Sequence, residues 1–139
     1  MSKRIDLEKY QDLWIMTESG LVLYHKSIHQ LDKHLFGGFM SALHSFSQEI
    51  DKGGITNFMI NERRYSIYKK QNLIFVIGSY PTVKEKRVLM GLEAISEQFI
   101  ELYGSLLENW DGEVTPFKNF GDILQSQYNG NVENFLLQL

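Results

Sequence analysis

The residues best suited to chemistry are four histidines, His25, His29, His34 and His44, in a 139-residue chain with no cysteine. His25 and His29 stand four apart, the spacing at which two imidazoles on one helical face chelate a metal. Here the pair falls where a strand ends and a loop begins, and no carboxylate stands where it would complete a third ligand. No metal site is expected. The lack of cysteine excludes thiolate nucleophiles, zinc–thiolate centres and disulfides. Gly37-Gly38 lies inside a helical pattern, and neither GxxxxGK[ST] nor GxGxxG occurs, so neither nucleotide phosphates nor a dinucleotide has a loop to bind. Ser79, His44 and Asp51 supply the residue types of a hydrolase triad. Without a GxSxG elbow nothing local brings them together. The reading is therefore no enzyme and no cofactor.

Composition agrees with an ordinary globular domain: 43% hydrophobic, 22% charged, net charge −3 and pI near 5.8. The overall charge gives no drive toward nucleic acid. No apolar run approaches the roughly 20 residues that span a bilayer. A soluble, cytoplasmic, single-domain protein is the expectation.

Charge is nonetheless uneven. Arg63, Arg64, Lys69 and Lys70 oppose only Glu62, and Lys84, Lys86 and Arg87 oppose only Glu85. From residue 108 onward Glu108, Asp111, Glu113, Asp122 and Glu133 oppose only Lys118. The first of these runs reads either as a solvated hairpin tip or as a contact for an acidic partner or an anionic membrane surface.

Glycines and prolines mark out the elements that must carry these residues. DLWIMTESGLVLYHK reads as a hairpin with strands near 12–17 and 20–26, turning where Gly20 can take a positive φ. Asp32 stands at an N-cap position before a helix whose Leu35, Phe39, Leu43, Phe46 and Ile50 recur at helical spacing, the expected core stripe. Gly53-Gly54 is placed to end it. Strands are expected at 55–60 and 64–70, then at 73–77, an unbroken LIFVI run suited to a central strand covered on both faces. Pro81 precedes a long helix over 83–109, with Val88, Leu92, Ile95, Phe99, Leu102 and Leu106 as its buried stripe. A shorter helix is expected from Phe117 to about Tyr128. Residues 1–11 read as an N-terminal extension, 12–128 as the domain and 129–139 as an apolar tail. The order ββαβββαα predicts an α+β fold, one five-stranded antiparallel sheet with long helices against it.

Beside its stripe the first helix carries a bulky wing, Phe36 and Met40, and on the other side small residues, Gly38, Ala42 and Ser45. Two readings stand for the wing: a helix packed deep on its own sheet, or a dimer interface. In the second, Phe36, Met40 and His44 join Thr56, Phe58 and Ile60 of the neighbouring strand.

LWIMTESGLVLYHKSI resembles the opening hairpin of longin and roadblock domains, LFGGFMSALHSFSQEI the helix that follows it, and NLIFVIGSYP the last central strand. GLEAISEQFIELYGSLLENWDGEVTPFKNFGDIL is similar to their closing helices, so the resemblance runs from Asp12 to Tyr128. It implies a profilin-like fold and a non-catalytic platform, a stand-alone module of the type found in archaea with eukaryote-like small GTPases. By the same resemblance its partners are a second copy or another longin or roadblock protein, together with a Ras-like small GTPase, in GTPase regulation or trafficking-like assembly. Peripheral membrane contact is compatible with that role. Profilin-like sheets also underlie PAS and GAF domains, so a small-ligand sensor is the alternative.

Overall fold

The structure is a computed structural model that describes residues 10–52 and 54–126. It opens with strands β1 (Tyr10–Thr17) and β2 (Val22–Ser27), then helix α1 (Lys33–Ile50). Strands β3 (Asn57–Ile60), β4 (Arg63–Lys70) and β5 (Leu73–Ser79) follow, then helix α2 (Glu85–Glu108). A 3-10 turn at Thr115–Phe117 leads into a helical segment over residues 120–126. The strands form one antiparallel sheet in the order β2-β1-β5-β4-β3. This is the α+β architecture expected from the sequence.

Local chemistry explains the turns. Gly20, at φ +94°, lets Thr17 and Leu21 close the first hairpin through a 2.9 Å backbone bond. Gln71 and Asn72 both take positive φ, as a two-residue turn between β4 and β5 requires. β5 lies at the centre of the sheet with all seven residues buried, which accounts for its unbroken apolar run. β1 begins two residues earlier than expected. Tyr10 and Gln11, assigned by sequence to the N-terminal extension, belong to the sheet, where an irregularity separates Tyr10 from Asp12. The apolar tail at 129–139 lies outside the described residues.

Each sheet face has its own core. Leu13, Ile15, Phe75 and Ile77 face α2, where Val88, Leu92, Ile95 and Phe99 meet Phe117, Phe120 and Leu124. The expected α2 stripe holds for its first four members only; Leu102 and Leu106 are each 42% exposed. Past Phe99 the helix is held through Tyr103, whose ring packs against Phe117 and Phe120. Trp14, Met16, Tyr65, Ile74 and Val76 face α1 on the other side.

Helix α1 is turned away from its expected orientation. Asp32 caps it as anticipated, its carboxylate accepting from the His34 and Leu35 backbone N–H groups at 2.9 and 3.0 Å. These bonds hold the Asp32 carboxyl below its ordinary pKa. The residues that α1 buries are Phe36, Gly37 and Met40, not the stripe from Leu35 to Ile50. Gly37 supplies the physical reason. A Cβ there would lie 2.1 Å from the Gly20 carbonyl oxygen, so the helix backbone sits directly on the hairpin turn. Ser41 Oγ donates to the Glu18 carbonyl at 2.8 Å and fixes the same approach. With that face held down, Phe36 packs against both Trp14 and Tyr65.

Candidate interaction surface

Turning α1 onto its glycine face leaves most of its longest apolar stripe facing outward, with only Leu43 packed half-buried against the core and Phe39 against β3. At 100° per residue the stripe is centred roughly 100° from the buried line. Leu35 is 76% exposed, Phe39 46%, Phe46 62% and Ile50 70%. The stripe runs on into the sheet edge. Phe39 meets the ring of Phe58 on β3, and Phe58 stacks on Tyr65 with centroids 5.1 Å apart. Ile60, two residues on and therefore on the same face of β3, is 54% exposed. At about 200 Å² per large side chain, the exposed parts of Leu35, Phe39, Phe46, Ile50 and Ile60 total roughly 600 Å². That is the upper end of what a monomer ordinarily leaves in water.

The two edges of the sheet differ in kind. β2 carries His25 and Lys26 on one edge, and its register with β1 shifts between Ile15 and Met16. A cation and a register break are both devices that discourage edge-to-edge pairing. The opposite edge strand, β3, reads Asn-Phe-Met-Ile and carries no charge. The edge left open to another strand is the one beside the apolar stripe.

The residues expected at a dimer interface divide accordingly. Phe36 and Met40 are core residues of the protomer, 9% and 1% exposed, because the Gly37 contact turns them onto the sheet. Of the two readings of that wing, deep packing on its own sheet is the one observed. His44 is half-buried on the other flank of the buried line and lines a separate groove. Thr56, Phe58 and Ile60 do lie at the open edge, Phe58 half-buried and the other two exposed. Leu35, Phe39, Phe46 and Ile50 are exposed here although their helical spacing is that of a core stripe, which is why the sequence alone does not mark them as surface.

The basic run does not form one patch. Successive strand residues point to opposite faces. Arg63 donates Nε–H to Gln11 Oε1 at 2.7 Å and Nη1–H to the Tyr65 hydroxyl at 3.2 Å, whereas Arg64 donates to the Val83 carbonyl beside α2. Lys69, at the far end of the strand, pairs with Glu18 at 2.7 Å. Lys70, its neighbour, ends the strand half-buried. Six residues of strand separate the arginines from the lysines by about 20 Å.

The other chemical candidates are equally scattered. Ser79 is fully buried on the α2 side of the sheet, while His44 and Asp51 belong to α1 and its C-terminal end on the opposite side. His25 stacks on Trp14 with centroids 4.8 Å apart; burial, then the charge of Lys33, pushes its pKa down. Among the described residues no three His, Asp or Glu side chains gather where they could hold a metal ion. No helix among them is long and apolar enough to cross a membrane.

No family model matches the chain, and no curated protein matches it in sequence. Among solved structures the fold is longin-like, shared with MglB proteins. MglB of Myxococcus xanthus superimposes with a TM-score of 0.57 at 9% identity, over 69% of this chain and 85% of that one. The gliding protein MglB of Thermus thermophilus gives 0.51 at 14% identity, over 63% and 76%. An MglB solved in a tetrameric arrangement gives 0.50 at 13% identity, over 63% and 75%. Identities this low speak for the fold alone.

Proposed function

We propose that this protein is a non-catalytic, cytoplasmic platform of the longin type, paired through α1 and β3 and presenting the joined sheets to a Ras-like small GTPase. The observation that carries the pairing is the apolar stripe of α1 lying against an uncharged, open sheet edge. A second copy brought to that edge would extend the sheet through β3 and cover Leu35, Phe39, Phe46 and Ile50 with their own counterparts. Both deficits of the lone protomer, unpaired edge groups and wet apolar surface, are met by one contact. A protein that joins its own edge to a related longin or roadblock chain would meet them equally, so a heterodimer belongs to the same reading. The tetrameric arrangement of one MglB fits a fold that assembles through its surfaces. The GTPase partner rests on the longin resemblance, as does a place in GTPase regulation or trafficking-like assembly at a membrane surface.

Size exclusion with light scattering tests both parts. The chain alone should run as a dimer, and the dimer should co-elute with a small GTPase in a nucleotide-dependent way. A monomer at all concentrations would overturn the pairing, and a dimer indifferent to every GTPase in both nucleotide states would overturn the partner.

A further inference from the structure

β4 is twice the length of β3, and the difference leaves one outward-facing residue near its end, Lys69, beyond the reach of β3. β3 pairs with β4 only from Arg63 to Ser66. Just before β3, Thr56 adds one more bond, its carbonyl accepting from the Ile67 N–H at 2.9 Å. Because Ile67 directs its N–H to this side, Lys69, two residues on, directs both its N–H and its C=O the same way. No β3 residue reaches Lys69. These groups open into a groove of about 440 Å³ that wraps the edge of β4 between α1 and α2.

The walls of the groove differ by face. On the α2 side stands the exposed Leu89, with the Ser66 hydroxyl buried and unpartnered at the floor. On the α1 side stand Lys69 and His44. Lys86 adds a second cation, while the one carboxylate of the lining, Glu85, accepts from Asn57 Nδ2 at 2.9 Å. Lys69 pairs with the half-buried Glu18, but its ammonium, itself 46% exposed, carries three donors and keeps room for a second carboxylate.

We infer that this groove takes an extended peptide of a partner by strand addition to β4, with alternating aliphatic and acidic side chains. The alternation follows from the pleat: one set of side chains faces Leu89, the other faces Lys69. This inference does not depend on dimerisation or on a GTPase.

The test is a titration of the ¹⁵N-labelled full chain with the probe peptide acetyl-Val-Asp-Val-Glu-Val-Asp-amide. Expected are amide shifts centred on residues 67–70 and slowed hydrogen exchange at Lys69. Lys69→Pro removes the outward N–H without touching the β4–β5 ladder, and proline is tolerated at an edge. It should weaken binding about tenfold, while Lys69→Ala, which keeps the N–H, should lose only the salt-sensitive part. A probe N-methylated at alternate residues makes the same test on the unaltered protein should the proline variant not fold. Absence of shifts at 67–70 up to about 1 mM probe would overturn the inference. So would equal binding of the N-methylated probe, or of acetyl-Val-Lys-Val-Lys-Val-Lys-amide. A Lys69 amide already protected in the free protein would assign the groove to residues 131–139 or to a second copy, and would overturn it too.

Discussion

Replacing Phe46 with aspartate should separate the proposed pair of protomers while leaving each one folded. Phe46 is 62% exposed in the protomer, so about 120 Å² of its surface is available for burial at a seam. At about 25 cal/mol per Å² that is roughly 3 kcal/mol for one ring and 6 kcal/mol for two related by a two-fold axis. Allowing half of this for incomplete cover leaves about 3 kcal/mol, which raises the dimer dissociation constant roughly 100-fold. Two carboxylates brought toward each other add to the penalty. The protomer itself should lose about 0.5 kcal/mol or less, as exposed substitutions generally do. Sedimentation velocity over a dilution series, paired with thermal melting at a concentration where both proteins are monomeric, measures both quantities. An unchanged concentration dependence of mass would refute the seam. A large loss of monomer stability would refute the orientation of α1.

Other consequences of the same geometry are open to measurement. Met40→Ala, at a position only 1% exposed, should cost about 2–5 kcal/mol in urea unfolding, and a loss under 1 kcal/mol would contradict its burial. Gly37→Ala should destabilise the fold because its Cβ meets backbone, whereas Gly38→Ala meets nothing within 4 Å and should stabilise α1 by about 0.5–1 kcal/mol; equal effects at both sites would dissolve the argument for the helix orientation. The depressed pKa of Asp32 gives a stabilising contribution that is present above the unfolded carboxylate pKa of about 4 and is lost as pH falls through the lower folded value. Asparagine caps comparably without titrating, so the stability of the wild type relative to Asp32→Asn should decline from about pH 5 to pH 3; a constant difference would show that the cap bonds do not hold the carboxylate.

Where one residue type has one physical use, the sequence was legible. Gly20 allows the positive φ of a tight turn, and Asp32 before a helical period has few other roles. An unbroken LIFVI run suits only a strand covered twice. The orientation of α1 was harder because that helix carries two apolar faces. Five large residues outvoted Phe36 and Met40, although the smaller face contained the sign that mattered. Gly37 is a backbone contact, and a contact of that kind cannot be seen until its partner, the Gly20 carbonyl, has been placed. Arg63 and Arg64 misled in another way: a charge cluster in the chain becomes two opposed single charges once the segment is a strand. Leu102 and Leu106 keep the helical period of α2, but periodicity does not reveal that Tyr103 takes over the packing there.

A helix with two apolar faces needs cover from two directions. In α1 the sheet provides one cover, and the close approach at Gly37 fixes which face receives it. The alternative rotation, placing Leu35, Phe39 and Phe46 inward, would lift Phe36 from between Trp14 and Tyr65 and Met40 from the core. It would also separate Gly37 from Gly20. The exposed stripe is therefore the consequence of a core made without it. Beside that stripe, Phe58 and Ile60 continue the apolar surface onto an edge strand with no charge to deter pairing. Lys26 and the register break place such deterrents at the opposite edge. That asymmetry between the two edges is what singles out β3, with the exposed side of α1, as the place where the proposed partner chain would sit.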